Sequence, residues 1–424
     1  MSQELKVVVG SDLQKKPQNV DAFISEALTY NPHAIVLNGD FGIDIYSHAY
    51  GIQQVAKRTA SQNIPVFYFG ASHEPFEIEL MADVVQQKYP HMHYIKNPQT
   101  HRVRGFDLVF VPGGVALAGG KFYLELNHPS PYRHDKELVL ESSEPITANN
   151  TRINYLSDLR NVVQGIDPAR AILFAHEPLK TTAREKGTDF AEYGWRQIDG
   201  AIIPGELIYD WFEQNYGLKR NSIGEEEWNA LKEKYDIVMR RNNAGNIYPE
   251  DLESLLTVSV HGHFEESGGN ICDRASNPIE EGKYVPNGRF NASALDAGTA
   301  GYVERIPGFV RFRRLRFVSV DKAEPLEYED IEWPEEFNRQ LTCGDFEIAP
   351  GKIHKTYDRF VKMPLTMRMK KKIDLANLKK PALGREDLPE QYRGFDKDAK
   401  SGLHIRKTVV LMPEPRPVPT KLTT

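Results

Sequence analysis

This chain has little cysteine, no long apolar run and no excess of positive charge, and each deficit excludes a class of protein. Cys272 and Cys343 are its two cysteines, too few for a disulfide framework and in keeping with a reducing compartment. Nothing in the sequence supports a bridge between them. Nowhere do about 18 apolar residues occur together, so no membrane span and no membrane partner are expected. The opening MSQELKVVVGSD lacks the apolar stretch of a secretory signal and runs straight into a strand pattern, so the expected location is cytoplasmic. A formal net charge of -6 gives no general attraction to nucleic acid, and any such binding would have to come from a local patch. Gly113-Gly114 and Gly119-Gly120 come without the spacing and lysine of a phosphate loop, which argues against a nucleotide cradle.

What is present is an alternation of buried-strand and amphipathic-helix patterns. Leu5 to Val9, Ala34 to Leu37, Val66 to Phe69, Phe106 to Val111 and Ala171 to Phe174 are short, largely β-branched or aromatic runs. Between them, Val20 to Thr29 and Ile52 to Ser61 place apolar residues at helical spacing. Strand, helix, strand with short connections is the signature of βαβ units. In sheets built that way, ligands gather where strands end and loops begin.

The rest of the chain has a different character. Residues 1–321 are expected to form one domain, interrupted at about 181–256 by a mostly helical insertion. That insertion contains Trp195, Trp211 and Trp228, helix-like stretches at Gly205–Asn215 and Glu225–Arg240, and a helix start at Pro249-Glu250-Asp251. It is a candidate cap or interaction surface. Val310 to Val320 reads as a strand with one polar face carrying Arg311, Arg313, Arg314 and Arg316, a basic strip that could touch a phosphate backbone, with a solvated face paired with the acidic Glu327–Asp330 region as the plainer account. Residues 322–424 are rich in proline and partly basic, and read as an extended C-terminal tail. Its cluster Arg368, Lys370, Lys371 and Lys372 would suit a nucleic-acid partner, with a solvated charge run as the plainer account. The tail could also join neighbouring subunits into a homo-oligomer.

Five segments share one chemical theme. Asp12 follows the first strand in VVVGSDLQ, and Asp40 follows the second in IVLNGDFG. His73 follows the third in VFYFGASHE, His176 follows AILFAHEP, and VSVHGHFEE supplies His263 and Glu265. Singly, each has a dull explanation: an Asp after a strand is usually a cap or turn former, and a lone His is usually a hydrogen-bonded loop residue. His261 and His263 alternate along a strand, so at least one of them could simply be exposed. Jointly they put metal-competent side chains at one edge of a sheet.

These segments resemble the calcineurin-like metallophosphoesterase superfamily, whose pattern is D-x-H, GD, GNHE, H and GH-x-H. The resemblance covers roughly residues 5 to 305, and LDAGTAGY, MHYIKN and FDLVFVPGG extend it. It implies a four-layer α/β fold, a β-sandwich flanked by helices, and one or two divalent ions acting on a phosphate-ester substrate. Carried over residue by residue, Asp40 bridges two ions. Asp12, Gln14 and Glu265 complete the first site, and Ser72, His176 and His263 the second. His73 protonates the leaving group, and Glu74 either orients it or merely starts a helix.

Three positions depart from the family: Gln14 and Glu265 stand where it has His, and Ser72 where it has Asn. An all-oxygen first shell favours Mn²⁺ or Mg²⁺ over Zn²⁺. The resemblance therefore implies a metal-dependent phosphoesterase, with phosphodiester hydrolysis as the expected reaction. The alternative is a catalytically silent scaffold that binds through the insertion and tail. His91, His93 and His101 form no expected site; His91 and His93 would share a strand face, and all three read as surface or loop histidines.

Overall fold

The computed structural model describes residues 4–14, 16–42, 45–71, 74, 78–114, 122–125, 152–179, 187–196, 201–204, 212, 224–243, 257–264 and 267–320. The expected tail at 322–424, Cys343, Trp211 and the helix start at Pro249 lie outside them. The described residues up to Phe190 and from 257 onward form one compact unit, and those within Ala191–Ala244 form a second.

The first unit opens with strand β1 (Leu5–Gly10), helix α1 (Asn19–Thr29), β2 (Ala34–Leu37), α2 (Ile45–Ala60), β3 (Val66–Tyr68), α3 (Ile78–Lys88) and β4 (Met92–Tyr94). The four strands pair in parallel, in chain order. Then come β5 (Gln99–Val103), β6 (Phe106–Val111), β7 (Phe122–Glu125), β8 (Arg152–Tyr155), α4 (Leu156–Val162) and β9 (Ala171–Ala175). The second unit's described elements follow: β10 (Phe190–Arg196), β11 (Ala201–Pro204), α5 (Glu225–Lys234) and β12 (Ile237–Asn243). The first unit resumes with β13 (Val258–His261), β14 (Ile271–Cys272), β15 (Tyr284–Val285), β16 (Gly288–Asn291), β17 (Thr299–Ile306) and β18 (Phe309–Arg316).

These strands assemble into two large sheets, ordered β15-β18-β17-β1-β2-β3-β4 and β14-β16-β13-β9-β6-β5. Side-chain alternation along β1 explains how they stack. Val8 points to α1, α2 and α3 and packs with Phe23, Ile52, Val55 and Val85. Val7 and Val9 point the other way and meet Phe110, Phe174 and Val260 of the second sheet. A third apolar layer joins Val109 and Leu173 to Leu156 and Leu159 of α4. The result is a four-layer α/β/β/α sandwich. Strands buried on both faces must be apolar on both, which is why these runs read as continuous rather than alternating.

Several expectations are corrected. The stretch from 181 to 256 is not mostly helical among its described residues: it holds three strands, in the order β11-β10-β12, and the helix α5. Helix α5 stops at Lys234, and Ile237 to Arg240 belong to β12 rather than to a helix running on to Arg240. Alternating aromatics such as Tyr193 and Trp195, beside Ile202 and Ile203, favour pleated backbone. Of the expected helix at Gly205–Asn215, Phe212 alone is described, packed against Trp228 and Tyr235. Helix α2 begins seven residues before Ile52, and its Gly51 admits the Phe41 ring, which a Cβ would meet at 2.7 Å.

His91 and His93 do not share a face: His91 is buried against Thr59 of α2, while His93 stacks on Phe67 beside His101. Among the described residues Arg311 of β18 pairs with Glu304 and Arg314 with Glu281, while the Glu327–Asp330 region expected to face this strand lies outside them. Cys272 is a free, buried thiol that burial pushes up to about 11. No helix of the described residues is long and apolar enough to cross a membrane.

Candidate metal centre

The parallel strands β1, β2, β9 and β13 all end at the same edge of the sandwich. Asp12, Asp40, His176 and His263 follow those four ends. Backbone hydrogen bonds weld the loops together: Asn38 N to Gly10 O, Leu13 N to Asp40 O, and Gly262 N to His176 O, at 2.7, 2.9 and 2.9 Å. Asn38 then spans the two sheets, since its Nδ2 donates to Ala175 O at 3.0 Å.

Asp12, Asp40 and His263 each hold positive φ, at 59°, 50° and 72°. A side chain in the left-handed region costs on the order of 1–3 kcal/mol and persists where its surroundings impose it. His263 is thus a turn residue, not part of the strand that ends at His261, and the expected alternation of the two does not occur. His261 is fully buried, facing Ser259 Oγ at 2.9 Å, and burial lowers it to about 3. Two glycines make the close approach feasible. A Cβ on Gly39 would collide with Ala71 and lie 2.9 Å from His176 Nδ1. One on Gly262 would overlap the Ser11 hydroxyl and lie 2.8 Å from Asp12 Oδ2.

The side chains meet in a small, mostly buried cluster. His176 Nδ1 donates to the Asn38 carbonyl at 2.9 Å, which leaves Nε2 facing the centre. That Nε2 lies 3.0 Å from Asp40 Oδ2 and 3.1 Å from His263 Nδ1. Ligand atoms of Asp40, His176 and His263 all fall within 4.8 Å of one another, a donor set suited to a divalent ion, with the outer nitrogen of His176 anchored as metal-binding histidines usually are. Burial alone would lower His176, but the carboxylates of Asp40, Asp12 and Glu74 outweigh it and raise it to about 10. Positive charge is what this cluster attracts.

Asp12 and Gln14 sit beside the trio. Asp12 is fully buried, and burial raises its carboxyl, with Asp40 adding to the rise and His176, Ser293 and Ser11 opposing it. Both its oxygens accept from His263 N, at 3.2 and 3.1 Å, and Oδ2 accepts from Ser293 Oγ at 2.6 Å. Gln14 Nε2 donates to Asp40 Oδ2 at 3.2 Å. Ser72, His73 and Glu265 lie outside the described residues. Whether Glu74, between them in chain order, orients His73 or starts a helix rests on residues outside the described ones; among the described residues it has another role. Its carboxylate accepts from Phe41 N at 2.7 Å and Ala71 N at 2.8 Å, stapling the β2 loop to the β3 loop.

Sequence reasoning missed Asn38, Ser293 and Asp296. Asn38 precedes the Gly-Asp pair directly, and Asp296 falls inside the quoted LDAG stretch, where its carboxylate accepts from Gln14 N and Lys16 N at 3.1 and 2.9 Å. Ser293 carries no local signal, because its partner Asp12 is 281 positions away.

No protein-family description and no curated protein matches the chain. Among solved structures, TT1561 of Thermus thermophilus aligns at 10% identity over 72% of this chain and 94% of its own, with a TM-score of 0.34. The NAD nucleotidase NadN of Haemophilus influenzae aligns at 11% identity, over 88% and 61%, with a TM-score of 0.32. A 5'-nucleotidase precursor from Thermus thermophilus aligns at 11% identity, over 85% and 60%, with a TM-score of 0.31. The alignments thus reach about three fifths of the length of either nucleotidase.

Proposed function

We propose that the chain is a metal-dependent phosphoesterase that hydrolyses a phosphodiester. The observation that carries this reading is the convergence of Asp40, His176 and His263 at the ends of β2, β9 and β13, with their ligand atoms within 4.8 Å. Lone pairs aimed at one buried point repel each other unless a proton or a cation lies among them. A divalent ion, Mn²⁺ or Mg²⁺ in this proposal, would polarise the phosphoryl oxygens and supply a water nucleophile at neutral pH.

The chain's own residues do the rest. Asp40 and His263 are preset by their left-handed backbone, so no reorganisation is needed when substrate arrives. His176 is held in one tautomer by Asn38. His73 is proposed as the general acid that gives its proton to the leaving oxygen, a contribution of roughly 10²–10⁴-fold. Its flanking residues Ala71 and Glu74 are tied to the Asp40 loop. Ser72 and Glu265 are proposed as further ligands, by position in the motif.

Hydrolysis of an activated phosphodiester by metal-stripped protein, titrated with Mn²⁺ beside an Asp40→Asn variant, tests the proposal. Turnover that appears with Mn²⁺ and vanishes in the folded variant is the expected result. Silence with Mn²⁺, Mg²⁺, Ni²⁺ and Zn²⁺ in folded protein would overturn it in favour of a binding protein.

A further inference from the structure

We infer that Asn291 is a positioning residue of this centre, tying the turn of His263 and the hydroxyl that bonds Asp12 to the end of one strand. The inference rests on the metal-dependent reading above and adds a residue that acts through its neighbours. Asn291 closes β16, and its register partner on the parallel strand β13 is His261, two residues before His263. It is fully buried.

Its carboxamide reaches the centre along two arms. Oδ1 accepts from Ser293 N at 2.9 Å, and the Ser293 hydroxyl donates in turn to Asp12 Oδ2 at 2.6 Å. Nδ2 donates to Phe264 O at 3.0 Å, just past His263, whose own N donates to both oxygens of Asp12. Both arms therefore close on one carboxylate. Ser267 N also reaches Phe264 O, at 3.1 Å, but that bond lies within the turn. The bond from Asn291 ties the turn to β16 instead.

An amide suits this position as other groups do not. A carboxylate has no donor for the second arm, and a hydroxyl is too short to span both. Turned over, Nδ2 would meet the N–H of Ser293, and Oδ1 would meet the carbonyls of Phe264 and Thr188. The partners therefore fix the orientation. Thr188 O and Ser267 Oγ each lie 3.0 Å from Nδ2 as well, and keep its N–H groups turned to that side. His263 holds a left-handed backbone, φ 72°, which persists only where its surroundings impose it. A donor locked onto the next carbonyl is one such constraint.

Three variants of the full-length protein, each checked for folding by circular dichroism, test the inference. Mn²⁺ affinity is read by calorimetry, and the line shape of bound Mn²⁺ by electron paramagnetic resonance at saturation. Asn291→Ala cuts both arms and is expected to weaken binding about tenfold, the lower end for outer contacts because it acts one bond further out. Ser293→Ala cuts the Asp12 arm alone and is expected to lose less, with both line shapes altered. Asn270→Ala removes a similar amide bond, Nδ2 to Gly187 O at 3.0 Å, that lies on neither arm, and should match wild type in both readouts. Wild-type affinity and line shape in Asn291→Ala would overturn the inference. An equal loss in Asn270→Ala would do the same, by showing that any loosening nearby suffices. A loss in Ser293→Ala as large as in Asn291→Ala would overturn the Phe264 arm. Should Asn291→Ala not fold, Asn291→Asp keeps the acceptor and cuts the Phe264 arm, and an unchanged line shape there would overturn that arm. Wild-type protein that binds no Mn²⁺ would overturn the metal-dependent reading itself.

Discussion

The carbonyl oxygen of Asn38 accepts a hydrogen bond from Nδ1 of His176 at 2.9 Å, joining the residue after β2 to the residue after β9. The bond runs from one sheet to the other. It holds Nδ1 of His176 outward, and so aims Nε2 at Asp40 and His263.

Asn38→Ala keeps that carbonyl but removes the Nδ2 bond to Ala175 O that holds it in place. Outer contacts of this kind are typically worth 10–100-fold in metal affinity. Calorimetric Mn²⁺ titration of the variant should therefore show a loss of about that size, with the far-ultraviolet circular dichroism unchanged. An unaltered affinity would mean that the backbone alone positions His176.

Glu74→Gln should cost more than its size suggests. Both carboxylate oxygens accept backbone N–H bonds, from Phe41 and Ala71, whereas an amide offers one acceptor and sets an NH₂ against the other donor. Leaving one buried donor unmatched costs about 1–3 kcal/mol. Chemical denaturation should report that loss, and phosphodiester turnover should fall with it, because the Asp40 loop is released. Stability equal to that of wild type would remove the staple from the account.

Gly262→Ala probes the close approach of β13 to β1. Its Cβ would overlap the Ser11 hydroxyl and press on Asp12. Overpacking of this kind costs about 1–3 kcal/mol. The expected outcome is a lower unfolding temperature together with weaker Mn²⁺ binding, since His263 N must move off Asp12. Full Mn²⁺ affinity in the variant would separate the two.

His48 offers a pH test away from the ligand trio. It is fully buried in α2, and burial lowers it to about 3, with the Phe41 backbone pulling the other way. Its folded value lies below its unfolded one near 6.5, so the stability it contributes is complete above pH 6.5. That contribution is lost as pH falls from there towards 3, when the unfolded chain takes up a proton that the folded one refuses. The buried carboxyls of Asp12 and Glu74, both raised, act in the opposite sense in acid, so the comparison must be made between variants. The stability difference between His48→Phe and wild type should change by about 1.4 kcal/mol per pH unit in that window. A pH-independent difference would show that His48 is protonated in the fold.

The sandwich was legible in the sequence where burial dictates composition. Strands such as β2 and β6 are covered on both faces, and only β-branched, aromatic and small apolar residues satisfy such a site, so their bounds could be read directly. The segment at 181–256 misled because tryptophans and short charged stretches suit a helix or a strand equally. Nothing local distinguishes Tyr193 and Trp195 in a sheet from the same residues on a helix face. The contacts of Ser293 and Asp296 were illegible too, for they reach Asp12 and Gln14 from 281 and 282 positions away.

By itself the sequence determined that Asp12, Asp40, His176 and His263 each stand just past a buried strand, because hydrophobic runs and their polar ends are written locally. Only the tertiary structure decided what those residues do to one another. Two sheets had to stack before Asn38 could orient His176, and β13 had to pass Gly262 against β1 before Asp12 became an acceptor for His263 N. Whether a carboxylate is free for a cation depends on how many donors already face it. That count is fixed by packing between distant segments, which no local pattern of residues records.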